Sequence, residues 1–173
     1  MWQRLIRFVK HRWQNDNAAQ QAIPPAVLNK LATAIANSES GHSGEIRIYI
    51  EAALPTSYLW QDCPIEQIIR QRALSMFGKL GVWDTEHNNG VLIYLLLVEK
   101  RLEIVADRGL NDRVPAGIWS ELASSMCETF KMGNYEAGLN LAVQEVSCLL
   151  QQHFAMSPHQ INLNELPNEP VLG

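Results

Sequence analysis

Apolar positions along the chain recur at helical spacing in five stretches and at strand spacing in three, with proline, glycine and amide clusters between them. The first stretch, MWQRLIRFVKHRW, places Trp2, Leu5, Ile6, Val9 and Trp13 on one stripe at about 100° per residue. Arg4, Arg7, Lys10 and His11 lie away from that stripe, and Arg12 borders it. A basic amphipathic helix of this kind either lies on an anionic membrane surface or docks on its own domain. Residues 15–23 are polar and read as a linker. Pro24-Pro25 then opens a helix with Val27, Leu28, Leu31 and Ile35 on one face, running to about Ser38.

SESGHSG breaks that helix, and EIRIYIEAAL, residues 45–54, alternates and is β-branched, as a strand requires. Pro55 stops it, and the chain to Cys63 reads as a loop. Residues 65–77 are helical, with Ile65, Ile68, Ile69, Ala73, Met76 and Phe77 inward; Gly78 and Gly81 end the helix. Residues 91–98 are apolar at every position, which predicts a central strand covered on both faces. Leu102, Ile104 and Ala106 alternate with Glu103, Val105 and Asp107, as in a strand nearer the edge. Pro115 opens a helix to about Phe130, Gly133 breaks it, and a last helix runs from Tyr135 to about Phe154. The order α-α-β-α-β-β-α-α predicts an α/β fold: a three-layer α/β/α sandwich whose small mixed sheet includes a central β-hairpin. Three parts follow: an N-terminal helix (1–14), an α/β/α domain (24–155), and an extended C-terminal tail (156–173) that lies over the surface.

The hairpin turns the pattern into candidate chemistry. With Glu99-Lys100 as the turn, Leu92 faces Asp107 and Gly90 faces Gly109. Glu-Lys is poor chemistry for a two-residue hairpin, so a shift of a residue or two is expected. In either register the loop 84–89 lands beside 108–112. A right-handed crossover makes residues 45–54 parallel to 91–98, and HSGE then joins the same end of the sheet. That end collects His42, Ser43, Glu45, Asp84, Glu86, His87, Asn88, Asn89, Asp107, Asn111 and Asp112, with Arg108 and Arg113 as cations. Carboxylates crowded together repel and need a compensating cation. Oxygen donors on glycine-flexed loops suit Ca²⁺ or Mg²⁺, and His42 keeps Mn²⁺ or Zn²⁺ in view. The alternative is a set of solvated loops in which Asn and Asp serve turns.

Composition narrows the class. The chain has 173 residues, 47% of them apolar, enough for one domain with a complete core. A net charge of −4 gives no reason to expect nucleic acid. The charge is uneven: residues 1–13 hold four Arg/Lys and no acid, while the rest hold ten basic and eighteen acidic residues, a net of −8. Cys63, Cys127 and Cys148 form no metal or disulfide spacing, which favours a reducing compartment. No run reaches the ~18 apolar residues of a membrane span, and the N-terminus lacks a signal-peptide core. A cytoplasmic protein is expected, peripheral on the inner membrane if the first helix seeks lipid.

No phosphate-cradling glycine loop, GxSxG or HExxH is present. Thr56, Ser57 and Tyr58 near Asp62 and Cys63 lack a base, and His153 and His159 read as surface or packing residues. The start of the Pro115 helix, a few residues after Asp112, offers free N–H groups to an anion.

HSGEIRI, VWDTEHNNGVLIYLLL, EIVADRG and FKMGNYEAGLNLAV, with the NELPNEP tail, resemble the TPM-domain family, in particular its short bacterial branch. The resemblance runs from about Pro24 to Gly173 and is most specific in NNGVLIYL and EIVADRG. It implies an α/β/α sandwich. It also implies calcium binding, as linked to some members, and the acid phosphatase activity proposed for a chloroplast branch tied to photosystem II repair. Other members are associated with membrane proteins. Onto this chain it carries a metal site at Asp84, Glu86, Asn88 and Asp107. Where many relatives have a VGYGLE-like segment, this chain has ADRGLN, so Asp107 and Arg108 replace small residues.

Two functions follow. One is a divalent-metal-binding domain, with calcium first and Mg²⁺ or Mn²⁺ next, acting as a weak phosphatase. Its candidate ligands are Asp84, Glu86, Asn88, Asp107, Asp112 and Glu45; His42 and Asn89 stand beside them and Arg108 binds phosphate. The other is a non-catalytic adaptor at a membrane surface or membrane protein, reached through residues 1–13 and assisting assembly or turnover of a complex.

Overall fold

A computed structural model describes residues 2–14, 17–157 and 164–173, without the side chains of Trp2 and Gln3. Asn15, Asp16 and His159 lie outside the described residues. The sheet has four strands: β1 (Ile46–Glu51), β2 (Val91–Leu96), β3 (Arg101–Ala106) and β4 (Val171–Leu172), in the order β3-β2-β1-β4. β1 runs parallel to both β2 and β4, and β2–β3 is the antiparallel hairpin. The mixed sheet with its central hairpin is therefore as the pattern predicted.

Alternation divides the core in two. Ile46, Ile48, Ile50, Ile93, Leu95 and Ile104 face one side. There they meet α3 (Pro25–Glu39), α7 (Ile118–Ser125), α8 (Cys127–Lys131) and α9 (Tyr135–Phe154). Tyr49, Leu92, Tyr94, Leu96 and Val105 face the other, under α5 (Ile65–Lys79) and α4 (Thr56–Leu59). Helix α1 (Trp2–Arg12) packs beside α4. These are the three layers.

Several expectations are corrected. The hairpin pairs Val91 with Ala106 and Leu96 with Arg101, two residues from the register a Glu99-Lys100 turn would give. Leu97 and Val98 leave β3 but keep donating to the end of β1 and the residue after it, at Glu51 O (2.9 Å) and Ala52 O (3.1 Å). A four-residue connection results, closed by Lys100 at φ +52°. The linker contains α2 (Ala18–Ala22), ended by fully buried Ile23. The loop after Pro55 contains α4. The Pro115 helix starts three residues late, after Gly117 at φ +90°, and breaks at buried Met126 into α7 and α8. The tail is not merely draped over the surface. Its end forms β4, covering what would otherwise be the open edge of β1.

β1 alternates isoleucine with Arg47, Tyr49 and Glu51, yet all six residues are buried. Glu51 is neutralised by Arg72 of α5, whose Nε donates at 2.9 and 3.2 Å and Nη2 at 2.6 Å. Tyr94 Oη donates to the same carboxylate at 2.6 Å and stacks on Tyr49. Burial, then the Glu51 charge, holds the Tyr94 phenol well above its ordinary pKa, so it remains a donor. Removing one partner of such a pair leaves an uncompensated buried charge. Arg72→Met is expected to cost about 3–5 kcal/mol, read as a lower urea midpoint. Adding Glu51→Gln removes the ion while keeping an acceptor for Tyr94, and should recover part of that loss. A double variant no more stable than Arg72→Met would contradict the account.

Candidate functional site

The start of β2 and the end of β3 meet through backbone bonds: Asp107 N–H donates to Gly90 O (2.9 Å), and Gly109 N–H donates to Asn88 O (2.8 Å). Gly109 is required for this closeness, and Gly90 for the approach of the Val82 backbone to the start of β2. A Cβ on Gly109 would lie 2.5 Å from the carbonyl oxygens of His87 and Asn88, and one on Gly90 would strike Val82 O. Asn88 takes φ +52°, a left-handed conformation that asparagine tolerates. Its Oδ1 receives Arg108 Nη2 (2.8 Å) and Nε (3.1 Å). Asp107 caps α6 (Arg108–Asn111), its Oδ1 accepting from Arg108 N (2.7 Å).

Asn89 is fully buried. Its N–H donates to Thr85 Oγ1 (3.1 Å) and its Nδ2 to Ser43 Oγ (3.2 Å), tying this loop to the segment that enters β1. Two acceptors are left over: Asn89 Oδ1 and Asp107 Oδ2 are buried and have no hydrogen-bond partner among the described residues. Buried oxygens without a donor are rare in native proteins and call for an occupant such as water or a cation.

The remaining candidates are dispersed. Asp84, Glu86, His87 and Asp112 are exposed. Glu86 N–H donates to Glu165 Oε2 (2.9 Å). Asn111 Oδ1 accepts from Trp119 Nε1 (3.2 Å), and Arg113 Nη1 donates to His153 O (2.8 Å). His42 is buried and bridges to Ala155, and burial lowers its pKa, favouring neutral imidazole. The carboxylate of Glu45 is buried and turned to the tail, where it accepts from Glu165 N (3.2 Å) and Leu166 N (3.3 Å). Among the described residues, no three of His, Cys, Asp and Glu stand close enough to hold an ion together. Two separate sets of donors stand at these strand ends: Asn88 with Asp107 and Arg108, and Asn89 with Ser43.

Clefts lie elsewhere, among them one of about 370 Å³ between α5, β3 and α7 and one of about 620 Å³ between α1 and the 61–66 segment. Thr85 joins the site without having been singled out in the sequence. Its position in a turn with a buried hydroxyl acceptor gave only the weak signal of any threonine in a loop.

The family model TPM_phosphatase, described as the TPM domain, matches residues 16–148, more than half of the chain. The chain belongs to the TPM-domain family. Among solved structures, this TPM domain is similar to the BA42 protein of the psychrophilic bacterium Bizionia argentinensis. The identity is 28%, the match covers 87% of this chain and 95% of that one, and the TM-score is 0.71. It is also similar to the N-terminal domain of a protein from P. gingivalis: 25% identity, 77% and 81% coverage, TM-score 0.56. No curated protein matches it.

A second polar cluster lies where the tail crosses β1. Glu39 accepts from Ile46 N (3.5 Å) and from the side chain of Asn168, while Arg47 Nη1 donates to Glu169 O (3.2 Å). Burial, aided by the Glu45 charge, pushes the Glu39 carboxyl up to about 7. Burial raises Glu45 as well. Folded Glu39 holds its proton between 4.5 and about 7, where the unfolded chain has released it. Its stabilising effect is thus complete below the lower value and lost as pH rises through the upper one. His42 acts oppositely, costing stability as pH falls through 6.5. Comparison with Glu39→Gln cancels the histidine. The stability of the wild type relative to that variant should fall by on the order of 3 kcal/mol between about pH 5 and about pH 8. Urea titrations at each pH measure it, and a flat difference would show that Glu39 is already ionised when folded.

Proposed function

We propose that this TPM domain binds a divalent cation, calcium first and Mg²⁺ or Mn²⁺ next, at Asp107, with Asn89 offering a further oxygen on the neighbouring strand end, and hydrolyses phosphate esters weakly. The observation that carries the reading is that two oxygens at adjoining strand ends, Asp107 Oδ2 and Asn89 Oδ1, are each buried and without a donor among the described residues. A carboxylate and an amide oxygen are hard donors of the kind these ions take. Mg²⁺ in particular is commonly held by one or two carboxylates, waters and a substrate phosphate rather than by a full protein cage. That mode suits a site where no three acidic or histidine side chains converge among the described residues.

The chain's own residues have separable tasks. Asp107 offers one oxygen to the cation while its other oxygen stays on Arg108 N, so the carboxylate is oriented before any ligand arrives. Ser43 fixes the Asn89 amide by accepting from Nδ2, which leaves Oδ1 as the free donor atom. Arg108 is exposed and spends Nε and Nη2 on one amide oxygen, so further N–H groups remain for phosphate. Asp84 and Glu86, exposed on the loop that carries Asn88 and Asn89, raise the local cation concentration. A bound cation would polarise a phosphoryl oxygen. The family's name, TPM_phosphatase, supports phosphate chemistry as the activity.

Calorimetry with Ca²⁺, Mg²⁺ and Mn²⁺, with and without inorganic phosphate, tests the reading. Asp107→Asn keeps a helix-capping side chain and so should fold, but is expected to bind the preferred ion at least about tenfold more weakly. Hydrolysis of a nitrophenyl phosphate should fall in parallel and stop in chelator. Absence of heat with all three ions, in both conditions, ends the metal reading.

A further inference from the structure

Helix α1 is docked with its faces reversed. A surface helix ordinarily buries its apolar stripe. Here Arg7 points inward and donates to three carbonyls at the end of α4: Leu59 O (2.7 and 3.1 Å), Gln61 O (2.6 Å) and Cys63 O (3.2 Å). His11 is buried one turn later. Its Nδ1 accepts from Leu54 N (3.0 Å), so Nε2 carries the proton and meets Glu99 Oε1 (3.0 Å). Lys10 reaches the other oxygen of Glu99 (2.7 Å), and Arg4 pairs with Asp62. Burial pushes Glu99 up, but the hydrogen bonds from His11 and Lys10 outweigh it and hold the carboxyl at about 2. The helix is fastened by its polar side.

The apolar stripe therefore faces out: Leu5 is 57% exposed, Ile6 52%, Val9 43% and Trp13 85%. Trp60 of the α4 end, 62% exposed, packs at 5.4 Å against Phe8 and adds an aromatic ring to the patch. We propose that this face seats the protein on an anionic bilayer surface, with α1 lying in the plane of the interface. Charge selects the occupant. Arg12 borders the stripe, is exposed and forms no ion pair among the described residues, and the four Arg/Lys of residues 1–13, a stretch with no acid of its own, meet two carboxylates, Glu99 and Asp62.

A cation bordering an apolar face with tryptophan, on a helix of net positive charge, matches a headgroup layer with anionic lipid. A second copy would instead bring two such cationic helices together. It would also have to build its contact from this one stripe, where stable interfaces engage about 20–30 residues a side. No described helix is long and apolar enough to cross a membrane, so attachment of this kind is reversible and depends on salt.

Flotation of the full chain on vesicles of phosphatidylcholine, with and without phosphatidylglycerol, tests the proposal. The wild type should float with the anionic vesicles, stay down with neutral ones, and detach in high salt. Leu5→Glu/Val9→Glu alters only the outward face and leaves Arg7 and His11 in place. It should abolish flotation while circular dichroism and the unfolding midpoint stay unchanged. Failure of the wild type to float, equal flotation on both lipids, or equal flotation of the double variant each overturns the proposal. So would sedimentation showing a wild-type dimer that the double variant dissolves, with no vesicle binding, because the stripe would then belong to a second copy.

Discussion

An ionised group inside a protein needs a partner, and β1 takes two charged residues inside, with a third just before it. Arg47 and Glu51 alternate with isoleucine along it, and Glu45 stands at its entrance. Together they draw two elements to the sheet, α5 and the tail. Glu51 fixes α5 through Arg72 and orients Tyr94. Arg47 and Glu45 bind the backbone of the tail, at Glu169 O and at Glu165 and Leu166 N–H. An apolar strand in this place would pack as well but would leave the tail without its anchors.

The same arrangement prepares the strand-end cluster. Because β1 and β2 are parallel, the segment before β1 and the loop before β2 arrive side by side, and Ser43 can hold Asn89. Because β2 and β3 are antiparallel, the end of β3 arrives there too, and Asp107 is bonded to Gly90. Glu86 meets Glu165, so the tail also touches the loop carrying the candidate ligands. Sheet and site are thus coupled through hydrogen bonds rather than through the apolar core.

The layers, the central hairpin and the parallel β1–β2 pair were legible because apolar spacing reports which faces are covered. Convergence of the 84–89 loop with the end of β3 survived a two-residue error in register, since that shift is small against the length of the loop. Alternation in EIRIYIE marks the strand but not its burial: Arg47, Tyr49 and Glu51 are covered by the tail, Arg72 and Tyr94. Nothing in a linear reading pairs Glu51 with Arg72, or Glu39 with Asn168, because such partners meet only after packing. For the same reason Glu45 was assigned to the metal set; its carboxylate serves the tail instead. The polar inward face of α1 escaped notice because its arginines and histidine read as a solvated side.

The bond from Arg47 to Glu169 spans 122 residues of chain, whereas β2 and β3 are joined by a four-residue connection. Closing the longer loop costs more chain entropy for a strand of only two residues. By that reckoning the hairpin assembles early and β4 is seated last, on a sheet already formed. It is equally the first strand to leave. Local opening of the protein would then begin at Val171, baring the edge of β1 while the hairpin and its flanking helices stay intact.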